Sequence, residues 1–168
     1  LCLRSTFYDI LDNIFIMIRI LITGDYCPRN RIDDLINLGK YQSVFEDIIP
    51  IVKGHDYSIV NLECPVVEHD DCAIKKQGPN LSSSLRAVEI LKLLDFNLLT
   101  LANNHFYDYG DGGVKHTLEC CKNLDLDFVG GGESLSAARA IKFKNLFGKR
   151  FAFINVCEHE FSIATQTT

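Results

Sequence analysis

Apolar and polar positions fall in blocks along this chain. Residues 18–23 (IRILIT), 57–62 (YSIVNL) and 97–102 (NLLTLA) are short, largely apolar runs, each ending abruptly on polar residues. Runs of that length fit strands buried on both faces of a parallel sheet. Stretches with helical spacing lie between them. Residues 44–52 carry apolar side chains at 44, 45, 48, 49, 51 and 52, a helical face interrupted by Pro50. Residues 84–94 set Leu85, Val88, Leu91 and Leu94 three apart, with serines ahead as caps. Residues 113–124 put Val114, Leu118, Cys121 and Leu124 on one face. Residues 127–129 read as a short strand running into Gly130, Gly131 and Gly132, and 134–140 as a short helix. Residues 141–147 and 150–156 read as a hairpin around Gly148 and Lys149, or as two consecutive strands. Residues 64–80 are polar, with Pro65, Gly78 and Pro79, and read as a long loop. Loops of that length in a compact domain are often functional.

Strands alternating with helices predict an α/β fold with a largely parallel sheet. The consequence is chemical, because parallel strands deliver their carboxyl ends to one edge, where open α/β sheets hold ligands. Asp25 follows the first run, Glu63 the second, and Asn103, Asn104 and His105 the third. Carboxylate and amide oxygens suit hard divalent cations. Two carboxylates converging without a cation would repel. Two cations about 3.5–4 Å apart could hold a phosphate ester and activate water, with His105 as a proton donor beside them. Plainer readings stand for each residue taken alone. Asp25 can cap a turn, Glu63 can be a solvated loop residue, and the two asparagines can bond backbone in a tight turn. The acidic run 68–71 reads as a solvated loop tip and His116 as a surface residue.

Composition narrows the class. The chain has 168 residues, 47% apolar and 23% charged, enough for one domain with a sizeable core. A net charge of −5 argues against a nucleic-acid partner held by bulk electrostatics. Seven cysteines, odd in number and without a CxxC pair, suit a reducing compartment and predict a cytoplasmic location. Residues 11–22 are interrupted by Asp12, Asn13 and Arg19 and fall short of the roughly 20 apolar residues of a transmembrane helix. The only methionine, Met17, directly precedes the first strand-like run. Residues 1–16 are therefore read as an upstream extension, and 17–168 as the amino-terminal portion of a domain.

The segments GDYCP (24–28), VNLECPV (60–66), KQGPNL (76–81) and LANNHFYDYGDGG (101–113), followed by FVGGG (128–132), occur in a distinctive order. Over residues 17–161 this order resembles the CapA family, bacterial capsule and poly-γ-glutamate synthesis proteins with a calcineurin-like metallophosphatase fold. The resemblance implies a metallophosphatase-like α/β sandwich with a largely parallel central sheet, its carboxyl-terminal part missing here. It implies a hydrolase, phosphoesterase-like, using two divalent ions (Mn, Zn, Fe or Mg). Asp25, Glu63 and Asn104 would be metal ligands, with Glu63 bridging. His105 would be catalytic and Asp108 would orient it. Lys76 and Asn103 would meet substrate, an anionic polymer or a phosphorylated compound, alongside the capsule synthesis machinery. Two departures are visible. Cys27 stands where these enzymes carry a histidine two residues after the first aspartate. Further histidine ligands belong to the family's carboxyl-terminal half, toward which His159 is a candidate contributor. The competing expectation is a non-catalytic accessory or polymer-binding protein, or an inactive fragment.

Overall fold

Strands β1 (Ile20–Tyr26), β2 (Tyr57–Leu62), β3 (Leu98–Thr100) and β4 (Asp127–Val129) form one sheet in that spatial order, every neighbour parallel. The computed structural model describes residues 16–68 and 71–158. The expected extension, apart from Ile16, and His159 lie outside the described residues. The connections carry α1 (Arg31–Asn37), α2 (Tyr41–Phe45), α3 (Ile49–Lys53), α4 (Leu85–Leu93) and α5 (Gly110–Asn123). A short α6 (Leu135–Ala138) and an antiparallel pair, β5 (Lys142–Leu146) and β6 (Lys149–Phe153), follow. The fold is thus mixed α/β with a four-stranded parallel sheet, as the sequence predicts.

Side-chain alternation divides the sheet's two faces. Val60, Leu62, Leu99 and Leu101 share a core with Val88, Ile90 and Leu91 of α4 and Leu118 and Cys121 of α5. Fully burying one such aliphatic side chain stabilises by roughly 1.5–3 kcal/mol, so this layer dominates the fold. On the opposite face Tyr57, Ile59, Leu98 and Val129 pack with Leu146 and Phe153 of the hairpin. The Tyr57 and Phe153 rings stack with centroids 5.3 Å apart. Ile22, in register with Ile59 on this second face, remains 73% exposed.

The differences from expectation have local causes. Pro50 does not interrupt one long helix; it sits in the first turn of α3, where its missing N–H costs nothing, so 41–53 becomes two single-turn helices. Helix α1 was not expected; its fully buried Ile36 anchors it in the core. Helix α5 starts three residues early, at Gly110, with Asp111 in its first turn. A side chain at Gly113 would bring its Cβ to 2.8 Å from Tyr109 Cβ and 3.4 Å from Pro65 Cβ, so this glycine serves close packing. The two readings of 141–156 resolve as a hairpin. Phe147 (φ 47°) and Gly148 (φ 76°) form its two-residue turn, the positive-φ pair a type I′ turn needs. Asp71, placed at a solvated tip, instead accepts a hydrogen bond from His116 Nδ1 at 2.8 Å with its side chain 8% exposed, tying the loop to α5. Among the described residues no helix is long and apolar enough to cross a membrane.

Candidate active site

Parallel pairing puts the ends of β1, β2 and β3 side by side, and an irregularity sets where Asp25 lands. The β1–β2 register slips between Ile22 and Asp25, so Asp25 lies opposite Asn61. Bulges of this kind re-aim side chains at sheet ends. Asn61 Nδ2 donates to Asp25 Oδ1 at 2.7 Å. Asn61 Oδ1 accepts from Thr100 Oγ1 at 3.1 Å and from Asn103 Nδ2 at 3.3 Å. A polar relay therefore runs from β1 across β2 to the end of β3. Glu63 continues the pairing, its N–H donating to Tyr26 O at 3.2 Å, and its side chain is half-buried. Asp25 and Asn104 are exposed.

The turn after β3 is built from its own side chains. Asn103 is buried and donates to Leu62 O at 3.0 Å, while its Oδ1 accepts the His105 N–H at 2.9 Å. This is the local asparagine turn, and it faces Asn103 inward, into the frame of the site. Asn155, just beyond β6, supports the same turn: its Oδ1 accepts the Ala102 N–H at 2.6 Å. Gly130 makes room for that contact. It has φ +89°, and a Cβ there would fall 2.2 Å from Asn155 Oδ1.

Asp108 is the hub. Its side chain is fully buried. Oδ2 accepts from Leu81 N at 2.6 Å and lies 2.7 Å from His105 Nδ1. Oδ1 accepts from Lys76 Nζ. Lys76 Nζ also lies 3.2 Å from His105 Nδ1, and the lysine side chain is only 2% exposed. A carboxylate this close to Nδ1 favours a proton on that nitrogen, with Nε2 as the ring's second polar atom. The Asp108 carbonyl in turn accepts from Ile74 N at 2.9 Å and Asn80 Nδ2 at 3.1 Å, so the long loop wraps around one residue.

Cys27 stands in the place of the expected histidine, and the neighbouring Cys64 Sγ donates to Tyr26 O at 3.9 Å. Burial pushes both thiols up from their ordinary value, and the neighbouring Glu63 carboxylate adds to this. Among the described residues no three His, Cys, Asp or Glu side chains gather closely enough to hold a metal ion. A groove of about 660 Å³ lies beside the turn, lined by Leu101, Phe106, Val114 and Gly130; its lining does not include Asp25, Glu63, Asn104 or His105.

The sheet edge thus brings Asp25, Glu63 and Asn104 to neighbouring strand ends and gathers His105, Asp108 and Lys76 into one bonded cluster. Asn61 and Asn155 were missed by sequence reasoning. Their signal was a lone amide in or just after an apolar strand, YSIVNL and FAFIN. Among known proteins, the chain is 35% identical over 133 residues to the "Capsule biosynthesis protein CapA" of Bacillus anthracis, covering 78% of this chain and 32% of that protein. It is also 35% identical over 130 residues to the "PGA biosynthesis protein CapA" of Bacillus subtilis (strain 168), covering 77% and 34%. The chain spans about a third of the length of these relatives. The family model for the bacterial capsule synthesis protein PGA_cap matches residues 19–168, nearly the whole chain, which therefore belongs to that family.

Proposed function

We propose that this chain carries the histidine side of a hydrolytic centre in a capsule or poly-γ-glutamate synthesis protein. The observation that carries the reading is the His105–Asp108 contact of 2.7 Å, made to a fully buried carboxylate at a parallel-sheet edge. An imidazole held through Nδ1 keeps Nε2 free to exchange a proton with a bound ester or amide. Asp25, Glu63 and Asn104 fit one side of a divalent-metal site by donor chemistry. They do not complete one, because no cluster of three ligating side chains occurs among the described residues. Further donors would come from elsewhere, in keeping with relatives about three times as long. The substrate class is an anionic polymer or phosphorylated compound.

Mn²⁺ titration tests the ligand assignment. Asp25→Ala with Glu63→Ala should weaken Mn²⁺ binding by at least about tenfold; unchanged binding removes the metal proposal. Phosphomonoesters, phosphodiesters and γ-glutamyl peptides, screened with Mn²⁺ or Zn²⁺, test the reaction. Turnover should vanish in His105→Ala. A non-catalytic accessory role is the second reading, favoured by Cys27 standing in place of a ligating histidine. Polymer binding that survives His105→Ala, with no turnover in either protein, would favour that role.

A further inference from the structure

We propose that Lys76 is a positioning residue for His105, acting through Asp108, and not a contact for substrate. The lysine comes from the middle of the long loop, 32 residues before its carboxylate partner. Lysine stems on a loop ordinarily carry the ammonium out to water. Here the side chain is 2% exposed, and its charge is matched by a carboxylate with no exposure at all. Burying two charges costs several kcal/mol per ion unless the geometry is well satisfied, so this arrangement has to be held by structure around it. It is held. Ile74 N and Asn80 Nδ2 both bond the Asp108 carbonyl, and Leu81 N bonds Oδ2. The two carboxylate oxygens are therefore divided. Lys76 takes Oδ1, and Oδ2 is left facing the His105 ring and the Leu81 amide.

That division orients the ring. A carboxylate free to rotate could present either oxygen, or turn away, and the ring could adopt either tautomer. With Oδ1 engaged by the ammonium, Oδ2 stays 2.7 Å from Nδ1 and the proton is kept on that nitrogen. Lys76 Nζ also packs 3.2 Å from Nδ1, so a ring turned over would set a carbon against both charged groups and lose the bond to Oδ2. The inference rests on His105 being the reacting group of the proposed function.

The test is the tautomer of His105, read from the ring ¹⁵N shifts of the ¹⁵N-histidine-labelled 168-residue chain. The parent protein should show one form, protonated at Nδ1. Lys76→Met should show a mixture of tautomers, and Lys76→Arg should restore the single form. If Lys76→Met does not fold, Lys76→Ala, which likewise removes the donor to Oδ1, serves for the same comparison. An unchanged Nδ1–H tautomer in the Met or Ala variant overturns the proposal, as does a parent ring protonated at Nε2. Where hydrolysis of bis-p-nitrophenyl phosphate with Mn²⁺ is measurable, Lys76→Met should lower kcat by about tenfold or more with KM little changed. A raised KM at constant kcat would make Lys76 a substrate contact and overturn the proposal. Hydrolysis untouched by His105→Ala would sink the functional reading, whereas the tautomer judges Lys76 alone.

Discussion

Two corners of the same sheet edge are built in opposite ways. Around Asp108, one buried carboxylate is shared by a buried ammonium, an imidazole and a backbone N–H, each within hydrogen-bonding distance of it. Around Asp25, the carboxylate is exposed and, among the described residues, accepts from Asn61 Nδ2. The first corner is densely bonded, so its geometry is fixed before any ligand arrives. The second keeps its carboxylate exposed and is steadied by the relay through Asn61. Preorganisation thus lies on the histidine side, and capacity for a new partner on the carboxylate side.

Removing the two aspartates should separate these corners most widely. Asp108→Ala removes the buried carboxylate that Lys76, His105 and the Leu81 N–H share, and should cost about 3–5 kcal/mol in urea denaturation. Asp25→Ala removes an exposed group and should change stability by no more than about 0.5 kcal/mol. Equal costs would erase the contrast. A smaller effect is expected at Thr117, whose buried Oγ1 accepts from Val66 N at 2.8 Å and donates to Gly113 O at 2.6 Å. Thr117→Val leaves the Val66 N–H without a partner and should cost about 1–3 kcal/mol by the same measurement. It should leave the His105 ring shifts in place, since it loosens the root of the loop and not the hub.

The smallest effect lies far from both corners. Asp127 on β4 is paired with Lys142 and Lys144 of the hairpin. Partial burial pushes its carboxyl up, but the two ammonium groups outweigh this and hold it below the usual carboxylate range. A lowered folded value means the stabilisation is fully present above the unfolded value of about 3.9. It is lost as pH falls through the folded value. Urea midpoints followed from about pH 6 to about pH 3 should therefore drop less steeply in Lys142→Met with Lys144→Met than in the parent. Parallel curves would show that the hairpin is held by Phe153 and Leu146 alone.

The parallel sheet was legible because YSIVNL and NLLTLA are too short and too apolar for anything but strands buried on both faces. Helix α1 was not. RIDDLIN carries Ile32, Leu35 and Ile36 at helical spacing, but two turns are too short to stand out alone, and the helix is held by tertiary burial of Ile36. The same divide runs through the site. Asp25, Glu63 and the Asn103–His105 cluster stood out as polar residues at strand ends. The partnership of His105 with Asp108 lies three residues apart and was also within reach. Lys76 belongs to the same cluster from 29 residues before His105, on a loop whose path is set by hydrogen bonds to one carbonyl. Long-range closure of that kind leaves no periodic trace in sequence.

Because Asp108 binds the loop through its carbonyl and the His105 ring through its carboxylate, the two are coupled through one residue. A fluctuation that frees Ile74 N or Asn80 Nδ2 from the carbonyl loosens the residue that also holds His105. The loop and the imidazole then form a single opening unit. Amide exchange at Ile74 and Leu81 therefore reports how firmly the His105 ring is held.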